Sequence, residues 1–600
     1  MARERRKKFR LSSLGEYIKI GLLAILKTFK RYPLTLLLFI SLSVIVLIQI
    51  ETNYDHTDLR ELLNRLIGIH VLAIALSLAV EALLERLPRR SWAIRIATYL
   101  VELGLLAAYF QFIFKSTGYA QNLQLGLLAA AFLLVFLFVP YFLRKVNYEV
   151  YINKILTHTV VSLFFAVVIG LGLSATVFAV KELIYDALRG ETYAYVWVFA
   201  MLIFAPVFLL AGIPQREEEI PVERYNKVLE VLVLYIIMPL LVIYTVVLYV
   251  YFAQVLITQE WPSGIVSYLV VSYTAVGILA IFLANPFRKT SRWSRYFTNG
   301  FNYLVLPLLG MMFAAIWIRI NQYGFTENRY FIFLIGIWSL VAVLFYIFNR
   351  GKNNVILPLL LAVFLLVAAV GPLSASNVSL ASQADRFYKT IEPYDILQDG
   401  VITKTTKTFE RADQKEIVGT LDYFEWHHGL DKLEYLPEGF DMSQFKDYFG
   451  FERYSWGDNL TLYFEFYNED STAVIISDYD ISQLVRMYQY LEITKVSEFT
   501  FDGSAYAISY GKKFVLSITR DGEEIYQYEF KGYVDKLYSK YGNQLSKGNR
   551  ITDDISLIDE NDHLKILYQF NTIMARSEGS SDNLVIENID VNIYIKVKDK

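Results

Sequence analysis

Apolar stretches follow one another from residue 33 to residue 373 and then stop; the residues from there to 600 contain none of comparable length. A spanning helix needs about 20 consecutive apolar residues. The stretches Pro33 to Ile50, Val160 to Val180 and Val355 to Val370 meet or approach that length. The pattern predicts about eleven spans, at roughly 33–50, 66–84, 92–114, 123–143, 157–180, 193–213, 230–257, 264–284, 299–320, 330–348 and 354–373. Ahead of them, residues 12–31 read as an amphipathic helix. Leu14, Tyr17, Ile18, Leu22, Ile25, Leu26 and Phe29 recur at helical spacing, and Glu16, Lys19, Lys27 and Lys30 take the other face. That division suits a helix lying in the headgroup layer.

Beyond residue 373 the period changes. Residues 413–427 and 531–545 read as helices. Residues 459–468, 498–519, 524–530, 563–575 and 584–598 alternate apolar and polar positions, as strands do. Asp502-Gly503, Tyr510-Gly511 and Asp521-Gly522 are hairpin-turn signals. The fold class is therefore a polytopic α-helical membrane domain followed by an extracytoplasmic α+β domain with antiparallel sheet. The expected division is a basic tail and interfacial helix (1–32), a transmembrane domain (33–373), a linker (374–390) and the α+β domain (391–600).

Charge supplies the orientation. The tail begins MARERRKKFR, and with it inside, the inner loops hold 15 Lys and Arg against 6 in the outer loops. That asymmetry puts the N-terminus in the cytoplasm, and an odd number of spans puts residues 374–600 outside it. Those residues carry 39 Asp and Glu against 24 Lys and Arg, while the whole chain is close to neutral at −2. The basic residues flank spans, so no nucleic-acid partner is expected. Cysteine is absent, which excludes disulfides, thiolate metal sites and a cysteine nucleophile. No cofactor is expected. The first apolar segment lacks a small-residue cleavage site and reads as an uncleaved anchor.

A set of residues from 299 to 387 carries a resemblance. Tyr303, Pro307 and Arg319 are followed by Tyr323-Gly324-Phe325-Thr326-Glu327-Asn328-Arg329-Tyr330, Trp338, Gly371-Pro372, and the run from Ser379 through Gln383 to Arg386. With Arg31-Tyr32-Pro33 and Trp261-Pro262 they resemble a bacterial multi-pass membrane family catalogued as domain of unknown function 4153. The resemblance implies a multi-span membrane protein and supplies no catalytic residue.

The topology places Glu260, Trp261, Arg319, Tyr323, Thr326, Glu327, Arg329, Gln383 and Arg386 at one outer membrane face. Arginines beside an aromatic mouth suit an anionic headgroup or phosphate. The competing reading pairs Arg319 and Arg329 with Glu327, or uses them as helix caps. Within the spans, His70, Glu102 and His158 are isolated polar groups, and an ionisable group at that depth marks function by default. His427-His428 with Asp422, Glu425 and Asp431 resembles a ligand set, but adjacent helical histidines diverge by about 100°, so no metal site is expected.

The functional expectation is a non-enzymatic integral protein of the bacterial inner membrane that binds or passes a lipid or small solute. Its partners would be membrane lipids, an anionic lipid or an envelope component. One alternative is a glycosyltransferase using a lipid-linked sugar, with Glu51, Asp55, Asp58 or Glu61 of the first outer loop as its carboxylates. Another is an envelope sensor acting through a partner.

Overall fold

The computed structural model describes residues 23–598 except for 53–56, 88–90, 143–146, 186–187, 215–224, 260–264, 350–351, 406, 452, 454–461, 468–476, 490–493, 512, 546–554 and 578–583. Most of the expected interfacial helix lies outside the described residues; 23–31 are helical. Contacts divide the chain into two compact units. One comprises the chain up to Lys389 plus Tyr423–Leu433, and the other Thr390–Asp422 plus Glu434 onward.

Among the described residues of the first unit, ten helices are long and apolar enough to cross a membrane: α1 (Pro33–Glu51), α2 (Thr57–Leu84), α3 (Trp92–Phe112), α4 (Tyr119–Tyr141), α5 (Tyr148–Leu183), α6 (Glu191–Ala211), α7 (Lys227–Thr258), α8 (Val266–Arg288), α9 (Arg292–Tyr323) and α10 (Glu327–Asn349). An eleventh apolar helix, α11 (Ile356–Ala369), is shorter at 14 residues. It stops because Val370 is extended and Gly371 takes φ +85°, ahead of Pro372.

Local sequence explains the main boundaries. Pro33 opens α1, where a missing N–H costs nothing. Ser91 accepts from the Ala93 N–H at the start of α3, and Ser291 accepts from Ser294 at the start of α9. Helices α6 and α7 each contain a six-residue π-helical stretch, Phe199–Phe204 and Leu232–Ile237. Helix α2 packs on α1, α3 and α4, α11 packs on α4, and α9 on α8 and α10. Small groups allow the closest approaches: a Cβ at Gly277 would overlap the Phe301 ring.

Within the stretch expected as a linker, residues from Ala375 onward form α12 (Ala375–Ile391), which buries Ala375, Phe387 and Ile391. A further helix, α13 (Arg411–His427), ends at the paired histidines.

In the second unit, strands β1 (Leu397–Gln398) and β2 (Val401–Ile402) form a small ladder. Strands β3 (Leu462–Tyr467), β4 (Ile481–Tyr488), β9 (Ser556–Glu560), β10 (Leu564–Ser577) and β11 (Leu584–Val597) form one antiparallel sheet in the order β3-β10-β11-β4, with β9 beside β10. Strands β5 (Thr494–Phe501), β6 (Ser504–Gly511), β7 (Val515–Arg520) and β8 (Glu523–Glu529) form a meander. Asp502-Gly503 and Asp521-Gly522 make its tight turns, with φ positive at all four residues, as a two-residue hairpin requires.

Two expectations need correction. Tyr510-Gly511 is no turn: Gly511 pairs with Val515 in the ladder, and the chain reverses with positive φ at Lys513 and Phe514. Strand β4 was not legible, because Leu484 and Tyr488 face outward and blur its alternation. The two sheets share one core with α14 (Lys531–Leu545): Ile508, Leu516 and Ile518 meet Ile566, Phe570, Val591, Phe530 and Val534. Ile525 and Tyr528 are only partly buried.

Candidate functional site

The best-defined polar site in the first unit is built around the short connection between α9 and α10. Helix α9 ends at Tyr323, and Gly324 takes φ +66°, ψ 178°. That region is essentially restricted to glycine, since a Cβ there costs about 1–3 kcal/mol. Space forbids a side chain as well: a Cβ at Gly324 would come within 2.9 Å of Ser382 and Gln383 atoms. Those two residues of α12 hold the connection. Ser382 Oγ accepts from the Phe325 N–H at 2.8 Å, and the buried Gln383 donates to the Tyr323 and Phe325 carbonyls at 3.0 and 2.8 Å.

Three guanidiniums surround the Tyr323 ring. Arg319, one turn earlier on α9, lies 5.6 Å from its centroid, Arg329 from α10 5.4 Å, and Arg386 from α12 5.5 Å. The tyrosine is 41% exposed, so the cluster opens to its surroundings. The arginines do different work. Arg329 donates to the Tyr323 and Gly324 carbonyls, both at 2.8 Å, and so caps the end of α9. Arg386 donates to the Tyr323 carbonyl at 3.0 Å. Arg319 forms no hydrogen bond or ion pair among the described residues; its contact is with the ring.

Glu327 does not serve these arginines. At the first position of α10, where a helix dipole favours a negative charge, it turns into a buried site with two side chains from 423–433. Tyr423 OH donates to Glu327 Oε2 at 2.8 Å, and His428 Nε2 lies 3.0 Å from Oε1. His428 Nε2 is also 3.1 Å from the Tyr423 oxygen. Both Glu327 and His428 are nearly inaccessible, at 2% and 3%. Burial and the neighbouring carboxylate push the Tyr423 phenol well up, so it remains a donor. His427 turns the other way, its ring 4.6 Å from both the Tyr119 and Tyr423 rings. The paired histidines therefore diverge, Asp431 pairs with Lys432, and Asp422 pairs with Arg453. Among the described residues no group of three or more His, Asp or Glu is placed to hold a metal ion.

Of the residues expected at one face, the structure brings together Arg319, Tyr323, Arg329, Gln383 and Arg386. Thr326 lies in the same connection, and its carbonyl accepts from the Tyr330 N–H at 2.9 Å. Glu260 and Trp261 lie outside the described residues. The partners of Glu327 were not foreseen; they lie 96 and 101 positions away, and no spacing links them.

The three intramembrane candidates separate. His70 is satisfied by the Ser41 hydroxyl at 2.9 Å and the Leu66 carbonyl at 2.7 Å. His158 packs its ring against Gly212, leaving no room for a Cβ there. Glu102 is buried, and neither carboxyl oxygen has a hydrogen-bond partner among the described residues. In and beside the connection between α1 and α2, Glu51 pairs with Arg189 at 2.9 Å and Asp58 and Glu61 are exposed; Asp55 is outside the described residues.

A family model described as Domain of unknown function (DUF4153) matches residues 34–396. An uncharacterized protein of Pasteurella multocida (strain Pm70) is 26% identical over 206 residues. That alignment covers 34% of this chain and 34% of the relative. No solved structure matches the chain.

Proposed function

The chain belongs to the DUF4153 family, and from that premise we propose that it is a non-enzymatic protein of the bacterial inner membrane that binds a phosphate-bearing group at Arg319. The observation that carries this reading is the division of labour around Tyr323. Arg329 is engaged by backbone carbonyls, whereas Arg319 stacks on an exposed ring without a hydrogen bond among the described residues. A guanidinium held by an aromatic face keeps its N–H edge for a planar or tetrahedral anion. Supporting context comes from the ten helices among the described residues that are long and apolar enough to span, and the excess of Lys and Arg in the alternate loops supports an N-terminus inside and an outward-facing mouth. The source of the phosphate is either a lipid headgroup or a small solute. No described carboxylate of the first outer loop lies in a buried site, so nothing favours the glycosyltransferase alternative. A sensor role would need a partner of its own.

Binding of phosphatidylglycerol, phosphatidylcholine and inorganic phosphate to the detergent-purified protein tests the reading. Arg319→Ala should weaken binding of the anionic lipid at least tenfold, about 1.4 kcal/mol, while Arg189→Ala, on another loop, should not change it. If phosphate alone binds, the ligand is a solute rather than a lipid. Equal affinities for wild type and Arg319→Ala would overturn the site. The orientation has its own test. A periplasm-active reporter fused after Lys600 should be active, and activity of a cytoplasm-dependent reporter at that position would reverse the assignment.

A further inference from the structure

Helices α2 and α3 carry an acidic arrangement that the arginine mouth does not use. Arg95, Tyr99 and Glu102 are spaced so that all three share one face of α3, and α2 is packed against that helix. Glu81 on α2 takes two of them. Arg95 Nη2 lies 2.8 Å from each of its oxygens, and Tyr99 OH donates to Oε1. Glu81 is 2% exposed; Arg95 supplies the compensating charge and Tyr99 a further hydrogen bond. One turn below, Glu85 holds Arg31 at 2.7 Å.

Glu102 is equally buried, at 2%, midway along a helix long enough to span. Both its oxygens lack a hydrogen-bond partner among the described residues. On its own helix Arg95 and Tyr99 are committed to Glu81, and Glu81 on α2 is itself paired with Arg95. A buried carboxylate with no donor is too costly to persist; such a group takes up a proton instead.

We propose that Glu102 is a proton-binding site within the span, held as a neutral carboxylic acid in this conformation. The site is separate from the arginine mouth and does not depend on what binds there.

The test treats the full-length, detergent-purified protein with dicyclohexylcarbodiimide, an apolar reagent that adds to protonated carboxyls within the bilayer. The acid proton passes to a carbodiimide nitrogen, the carboxyl oxygen bonds to the central carbon, and the adduct rearranges to a stable N-acylurea with no leaving group. Peptide mass spectrometry should find the adduct on Glu102, stronger at acid than at alkaline pH, absent from Glu81 and insensitive to sodium. The Glu102→Gln variant should lose it. Absence of the Glu102 adduct at every pH would overturn the proposal. So would its suppression by sodium at constant pH, which would make the site one for a metal cation. The wild-type peptide map decides even if the variant fails to fold.

Discussion

Glu327→Ala should destabilise the first unit by about 1–3 kcal/mol, the typical cost of leaving a buried donor unsatisfied. The residue is 2% exposed, accepts from the Tyr423 hydroxyl and lies 3.0 Å from His428 Nε2. Without it, Tyr423 and His428 keep only the 3.1 Å contact with one another, and the donor that Glu327 satisfied loses its acceptor. Glu327→Gln keeps the shape and still accepts from Tyr423, so it should lose less. Thermal unfolding of the purified protein, followed by intrinsic fluorescence, should rank wild type above Glu327→Gln and Glu327→Gln above Glu327→Ala. Coincident transitions for all three would show that the carboxylate contributes nothing to stability.

This pair also marks where the sequence stops being readable. Spans were legible because bilayer thickness imposes a length on apolar runs, and nearly every such run became a helix. The hairpins at Asp502-Gly503 and Asp521-Gly522 were legible because positive φ at two successive residues selects those residue types. Tyr510-Gly511 misled because Gly511 carries the same local signal while serving as a ladder residue. The arginines around Tyr323 were partly legible, since topology placed α9, α10 and α12 at one face, but their split into a capping arginine and a ring-stacked one depends on the backbone at Gly324. The Glu327–Tyr423–His428 contact was not legible at all. Its members have no periodic relation, and the two histidines carry a stronger resemblance to metal ligands than to their actual roles.

Arg95→Ala should be the other strongly disruptive change, by about 3–5 kcal/mol. It leaves Glu81 buried with only Tyr99 to donate to it, and it removes bonds from Arg95 to the Lys30 and Arg31 carbonyls at 3.1 and 2.9 Å. The informative control is Arg189→Ala. The Arg189–Glu51 pair is 2.9 Å long, nearly the same as the 2.8 Å Arg95–Glu81 pair, but its side chains are 62% and 44% exposed against 15% and 2%. Solvent screens the exposed pair, so its loss should leave the unfolding transition unmoved. Geometry would rank the two pairs alike; burial ranks them apart. Equal shifts for the two variants would refute that ordering.

The segment Tyr423–Leu433 belongs to the unit made largely of spanning helices, although the chain reaches it only after passing through Thr390–Asp422 in the other unit. The polypeptide thus passes between its two units three times. Neither unit corresponds to a single continuous stretch of gene. Cutting at residue 389 strands the Glu327 carboxylate, and expressing 390–600 alone carries along Phe424 and Leu433, side chains that are buried in the whole protein. The family match ends at residue 396, short of these eleven residues.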